Sequence, residues 1–301
     1  MRSAGGRKTA ILIGFVIGAL ALTFDEAKAR FSMKVAYPSA TGTVEAPLWV
    51  AKDLKLFDKY DVQADLIYIE GGTTSMQALI AEEIHVMVGD STSTFNANLS
   101  GFDVVVLASH MNRLTYSMIV AKGLENVQQL RGKTVGVSRL RGRSHYLTQV
   151  LLQNAGLPLD EVKFIAVGGG AARLASLHAN RIQGAIISST DVIRARRLGV
   201  RVFELPEPPF LNANVSVLRP RMKRDREAYV AFLKGYVAGI HAFITRDESA
   251  IIPVLSRYMR ETDREILKSA YDYLKSRTEW PPYVSKESVQ GVVDIMAYDR
   301  P

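Results

Sequence analysis

No cysteine occurs among the 301 residues, which excludes a disulfide framework, a thiol nucleophile and a cysteine-built zinc site. It also excludes the lipid-acceptor cysteine of a bacterial lipoprotein. The five histidines (His85, His110, His145, His178, His241) show no metal-ligand spacing, and no G-x-S-x-G elbow, Walker loop or G-x-G-x-x-G turn is present. No catalytic residue, metal or cofactor is therefore expected. The net charge is +8, from 38 basic and 30 acidic residues, but no lysine or arginine run is interleaved with aromatics. That pattern argues against nucleic acid and for a general bias toward anions. Past residue 29 no apolar stretch is expected to reach the roughly 20 residues that cross a bilayer.

What is present begins with a basic head (Arg2, Arg7, Lys8), an apolar run over 10–22, and Ala27-Lys28-Ala29 before Arg30. A basic head, an apolar stretch of about 7–15 residues and an A-x-A site form a secretory leader. Thr23-Phe24-Asp25-Glu26 ends the run too early for a membrane anchor. Residues 1–29 are thus expected to be a signal peptide, cleaved near Ala29, that delivers a soluble, unanchored monomer to the periplasm. The leader carries four basic residues (Arg2, Arg7, Lys8, Lys28) against Asp25 and Glu26, so +6 of the +8 stays on the remaining 272 residues.

A chain of this size is near the point at which one core splits into two. Short apolar runs alternate with amphipathic stretches, the pattern of parallel strands joined by crossover helices. Strands are read at 34–37, 65–69, 85–88, 104–109, 116–121, 134–138, 163–167, 184–188, 201–205 and 213–218. Ten exceed one compact sheet of the usual four to six. Helical spacing recurs at Ala46, Trp49, Val50, Leu54 and Phe57, at 73–82, at Leu147, Val150, Leu151 and Leu152 before a stop at Asn154-Ala155-Gly156, and at 171–180. After about residue 222 only helices follow. Tyr229, Val230, Leu233, Tyr236, Val237, Ile240 and Ile244 make one apolar face, Thr262-Asp263-Arg264-Glu265 reads as a capping box, and Ser285 starts a last helix.

Lys34-Val35-Ala36-Tyr37, then Ala46-Pro47-Leu48-Trp49-Val50-Ala51-Lys52 with Leu56-Phe57, resembles the opening of solute-binding proteins of the nitrate/sulfonate/taurine importer group. Gly71-Gly72-Thr73-Thr74 with Gln77-Ala78-Leu79, the segment Val86 to Asp90, and Leu130-Arg131-Gly132-Lys133-Thr134-Val135-Gly136-Val137 extend the likeness, which runs from about residue 33 to about 245. The resemblance implies a two-lobed α/β type II periplasmic binding fold, each lobe a mixed, mostly parallel sheet, joined by two crossings that close on a small ligand. The first lobe would take 30–112 and 204–301, and the second 113–203, with crossings near 110–116 and 203–210. A permease of an ATP-driven importer would be its partner. A receptor feeding a sensor protein uses the same fold. So do enzymes of thiamine-pyrimidine synthesis, which carry a cysteine-rich motif that this chain lacks.

In an open parallel sheet the ligand crevice lies beyond the carboxyl ends of the strands. The loops there are polar, and hydroxyls and free amides at helix starts donate to anions where glycine lets the backbone approach. The expected ligand contacts are Ser39 and Thr41; Gly72, Thr73 and Thr74; Asp90, Ser91 and Thr92; Arg139 and Ser144; Gly169; and Ser188 and Ser189. Arg139, nearest its strand end, is the expected cleft cation, and at least two of Arg139, Arg141 and Arg143 are expected on a solvated face. Trp49 is expected in the core. Asp90 suits an anion receptor only as a helix cap or as partner to an amino group, which keeps zwitterions beside sulfonates, nitrate and carboxylates.

Overall fold

Ten strands appear where ten apolar runs were read, and they divide between two five-stranded sheets. The structure is a computed structural model that describes residues 31–40 and 44–297; the leader and Thr41 lie outside these. The strands are β1 (Phe31–Tyr37), β2 (Val62–Tyr68), β3 (Val86–Val88), β4 (Val104–Ser109), β5 (Tyr116–Val120), β6 (Thr134–Val137), β7 (Lys163–Ala166), β8 (Gly184–Ser188), β9 (Arg201–Glu204) and β10 (Asn214–Leu218). One sheet runs β2-β1-β3-β10-β4 and the other β7-β6-β8-β5-β9. In the first, β1 pairs in parallel with β2 and β3, while β10 lies antiparallel to β3 and β4. In the second, β6 is parallel to β7 and β8, while β5 opposes β8 and β9.

The reversed strand in each sheet is the one that follows a passage between sheets. The chain leaves β4 through 110–115 to enter β5, and leaves β9 through 205–213 to enter β10. Arg113 bridges Pro209, so the two passages run side by side. This is the two-lobed arrangement that the loop and strand pattern suggested. β2 begins at Val62, three residues before its expected start, because Val62 and Ala64 are buried against β1.

Helices α1 (Ala46–Asp53), α2 (Gly72–Ile80), α3 (Ser91–Leu99), α4 (Arg143–Asn154), α5 (Gly170–His178) and α6 (Val192–Arg197) alternate with the strands. After β10 come α7 (Arg219–Arg224), α8 (Arg226–Thr245), α9 (Glu248–Met259), α10 (Arg264–Lys275) and α11 (Lys286–Ala297). The core on one face of the first sheet holds Trp49, Phe57, Phe232, Tyr236 and Phe243. Burying each such side chain stabilises the fold by about 1.5–3 kcal/mol. Trp49 is wholly buried and stacks on Tyr258, a core residue as expected.

Two details differ from the expectations. By length and composition α8, with 20 residues, is apolar enough to cross a membrane, which the sequence reading had denied of any stretch after the leader. Its apolar face is occupied here by the core: Tyr229, Phe232, Tyr236, Ile240 and Phe243 are buried, and Gly235 and Gly239 press against Phe57, Pro47 and Ala51. The cap of α10 is Asp263 rather than Thr262, because the Asp263 carboxylate accepts from the amides of Glu265 and Ile266. Glu261 in turn accepts from the amides of Thr262 and Asp263. Ser285 does cap α11, accepting from the Ser288 amide at 3.0 Å.

The sequence groups α11 with the first lobe, and the helix packs against both α3 and α4. Val292, Ile295 and Met296 form an apolar stripe that is buried with Tyr146 and Leu147 of α4, and Gly291 lets the helix sit directly on the Pro209 carbonyl. The last helix thus seals the second lobe's core and the crossing at once.

A Cβ on Gly239 would stand 2.5 Å from both the Pro47 carbonyl oxygen and the Ala51 Cβ. Backbone cannot step aside, so Gly239→Ala is expected to destabilise by about 1–3 kcal/mol, despite the roughly 1 kcal/mol that alanine adds in a helix. A lowered urea midpoint at unchanged slope checks this.

Candidate functional site

The carboxyl ends of β1, β2 and β3 face those of β6, β7 and β8 across a cleft of about 600 Å³. Each of the six polar loops expected at strand ends places at least one residue in its wall: Ser39; Gly71 and Gly72; Asp90; Ser138, Arg139, Arg143 and Ser144; Gly168, Gly169 and Gly170; and Ser188 and Asp191. Thr115, Tyr116 and Asn212, at or beside the crossings, also line it.

The second lobe's contribution centres on Arg143, the first residue of α4. It is buried, and its Nη1 donates to Asn212 Oδ1 at 2.8 Å and to Tyr116 Oη at 3.4 Å. Its Nε stands 3.5 Å from Asp90 Oδ1 in the first lobe. Burial works against its charge, yet Tyr116, Asp90 and Glu45 around it hold it above the ordinary arginine range. The sequence left open which of Arg139, Arg141 and Arg143 faces the cleft, and Arg143 is the buried one. Arg139 also lines the cleft, exposed, with its Nε 3.0 Å from where a Cβ on Gly71 would be; Arg141 is exposed outside the lining. Arg173 of α5 is buried and donates to the Ile186 and Gly168 carbonyls, which fixes the triple-glycine turn.

Asp90 performs the capping role that the sequence left open. It accepts from Thr92 Oγ1 at 2.5 Å, from Ser93 Oγ at 3.1 Å and from the Ser93 amide, which holds the first turn of α3. Thr92 is accordingly buried behind the cleft wall as a partner of that cap, and Ser91, also off the lining, is buried with its hydroxyl making no hydrogen bond. Thr73 and Thr74, on the first turn of α2, also lie off the lining, with Thr73 exposed. Ser144 lines the cleft, but its Oγ is engaged at 2.7 Å with the Ser138 amide and hydroxyl. Ser188 lines it and bonds to Thr190; Ser189 instead turns toward Ser117. The Gly169 amide points into the cleft and is met there by Glu70 Oε1 from the first lobe at 2.7 Å. Glycine caps α5 with no side chain of its own, so the free amide takes a carboxylate from across the gap.

Sequence reasoning missed Glu45, Tyr68, Glu70, Tyr116, Arg173 and Asn212, all in the lining. Glu45 precedes α1 in the position of a cap, yet makes no side-chain cap bond. It is 1% exposed, its Oε2 has no hydrogen-bond partner, and burial pushes its carboxyl up to about 8, against the pull of its own amide and of Arg143. With Glu45 neutral at pH 7, Asp90 is the carboxylate that faces Arg143.

Two outcomes follow. A Cβ on Gly72 would fall 1.6 Å from Asp90 Oδ2, so Gly72→Ala is expected to displace the α3 cap and cost about 1–2 kcal/mol, measurable by denaturation. The second concerns pH. Glu45 carries a folded value above its ordinary 4.5, so its stabilising contribution is complete below 4.5 and is lost as pH rises through about 8. His110, buried and lowered to about 4 from 6.5, contributes above 6.5 and loses this as pH falls through about 4. The two offset each other between 4.5 and 6.5. From 6.5 to 8 Glu45 acts alone, so wild-type melting temperature should fall across that window and the Glu45→Gln variant should stay level.

The described fold is similar to several solved structures. One is a Candida albicans protein with the generic periplasmic binding protein fold (16% identity, TM-score 0.72, 89% of each chain). Another is the periplasmic aliphatic sulphonate-binding protein SsuA of Escherichia coli (18%, 0.67, 89% of this chain and 87% of that one). A third is the periplasmic nitrate-binding protein NrtA of Synechocystis PCC 6803 (12%, 0.68, 85% and 74%). No curated protein matches the chain by sequence. The family described as NMT1/THI5 like matches residues 43–250, more than half of the chain. Two reversed-strand sheets around a polar cleft, and that match, make this chain a member of the NMT1/THI5-like family with the two-lobed periplasmic binding protein fold.

Proposed function

We propose that this chain is the solute-binding component of an ATP-driven importer, exported to the periplasm, which closes its two lobes around a small organic ligand bearing an anionic group. The observation that carries the reading is Arg143. It stands on the second lobe and faces Asp90 on the first, inside a cleft that both lobes line. Neither its Nε, buried 3.5 Å from Asp90 Oδ1, nor its Nη2 makes a hydrogen bond among the described residues. A buried, charged donor with nitrogens still free of hydrogen bonds is suited to an anionic oxygen. Two similar proteins are described as binding sulphonate and nitrate, which fits that chemistry.

The mechanism is a population shift. A ligand that touches both walls binds the closed form better than the open one, and only that difference drives closure. The flexing segments are the adjacent crossings at 110–115 and 205–213. The closed form then offers the outer faces of both lobes to a permease. Exposed Arg139 at the rim adds a second cation to the path of an incoming anion.

Thermal-shift screening of the chain without its leader, against organic anions and zwitterions, tests this. A ligand at 100 times its dissociation constant adds about 2.7 kcal/mol. For any anionic hit, Arg143→Ala is expected to weaken binding about 10- to 100-fold, from the roughly 1.5–3 kcal/mol of a charge-assisted bond. Arg139→Ala, exposed, is expected to weaken it less. Equal affinity of wild type and Arg143→Ala for every hit would sink the assignment.

A further inference from the structure

We propose that Glu45 reads an N–H donor on the ligand, so that the cleft takes a small molecule with an ammonium group at one end and an anionic group at the other, rather than a bare oxyanion. The inference rests on the solute-binding reading of the cleft and names the ligand class for it.

The argument starts from the polar groups that already have partners. Four acids (Glu45, Glu70, Asp90, Asp191) and three arginines (Arg139, Arg143, Arg173) line the cleft, so it is not a simple cationic funnel. Asp90 holds the α3 cap and faces Arg143, Glu70 occupies the α5 amide, and Asp191 pairs with Arg194 at 2.5 Å. Arg173 is committed to two backbone carbonyls. Glu45, by contrast, makes no ion pair and no cap bond among the described residues. Its Oε2 is buried with no partner, and Oε1 lies 3.3 Å from where a Cβ on Gly89 would be, so glycine there leaves the carboxyl its place.

A buried polar atom without a partner costs free energy unless something meets it. Capping does not explain Glu45, because it makes no side-chain cap bond to α1. An N–H group entering the cleft would meet Oε2, while the ligand's anionic end meets Arg143. The charged and titratable groups coupled to Glu45 are Arg143 from α4, Tyr37 from β1, Tyr68 from β2 and Tyr236 from α8. None supplies a second negative charge at pH 7, so an ammonium beside Glu45 is balanced by the carboxylate that forms when Glu45 gives its proton to solvent.

The experiment uses matched probes, taurine against ethanesulfonate and β-alanine against propionate, with calorimetry at pH 7 in two buffers of different ionisation enthalpy. The amino member of at least one pair should bind wild type about tenfold or more tighter, with release of a substantial fraction of one proton. Glu45→Gln, which matches the neutral carboxyl in shape, should bring the amino member to the level of its partner and abolish the proton release. Should that variant fail to fold, the proton count on wild type decides. Equal binding of both members of each pair, or proton release unchanged in the variant, overturns the role of Glu45 and leaves the solute-binding reading standing. Binding by no member of either pair overturns the inference, and the wider thermal-shift screen decides the solute-binding reading.

Discussion

The buried contact between Arg143 and Asp90 organises the molecule. It joins the first turn of a helix on one sheet to the cap of a helix on the other, and neither group reaches a comparable partner within its own lobe. Removing two charges from water is costly, and their attraction offsets that only where further hydrogen bonds satisfy both. Here Asn212 and Tyr116 serve the arginine, and Thr92 and Ser93 serve the aspartate. Both ends of the contact are therefore fixed before any guest arrives, which makes the cleft a preorganised site.

Around this contact the lobes also meet through polar bonds. At the outer edge Arg194 of α6 reaches Glu261 at 2.6 Å, and Arg197 pairs with Asp263 and Glu265, the acids at the start of α10. The Arg197 pairs are exposed and add little to stability. Their geometry nonetheless ties the motion of α6 to the helices packed on the first sheet. Opposite them, α11 lies over the crossing at Pro209 and continues into the core beside α4. Under the proposed closure, a crossing so covered would limit the directions in which the lobes separate.

The architecture was legible because each strand is an apolar run and each strand end carries its own polar loop. Val86–Val88 and Asn214–Leu218, buried throughout, read as strands for that reason. The same loops located the cleft. Which side chains face it was not legible. Arg139, Arg141 and Arg143 look alike in sequence, and only the start of α4 decides that the last is buried. Glu45 before Ala46-Pro47 looks like an ordinary cap. The Glu70 bond to Gly169 joins residues 99 apart, beyond any local pattern. Thr262 and Asp263 compete as caps one residue apart, and Glu261 settles the matter by holding both their amides.

The Glu70 carboxylate seated on the α5 amide has a consequence for fidelity. Phosphate, sulfate and other small inorganic ions would be drawn to an unoccupied helix start flanked by glycines. With its own acid already in that seat, the protein makes such ions compete with a tethered rival at high effective concentration. Under the proposed solute-binding role, discrimination against abundant salts would thus be built into the fold itself.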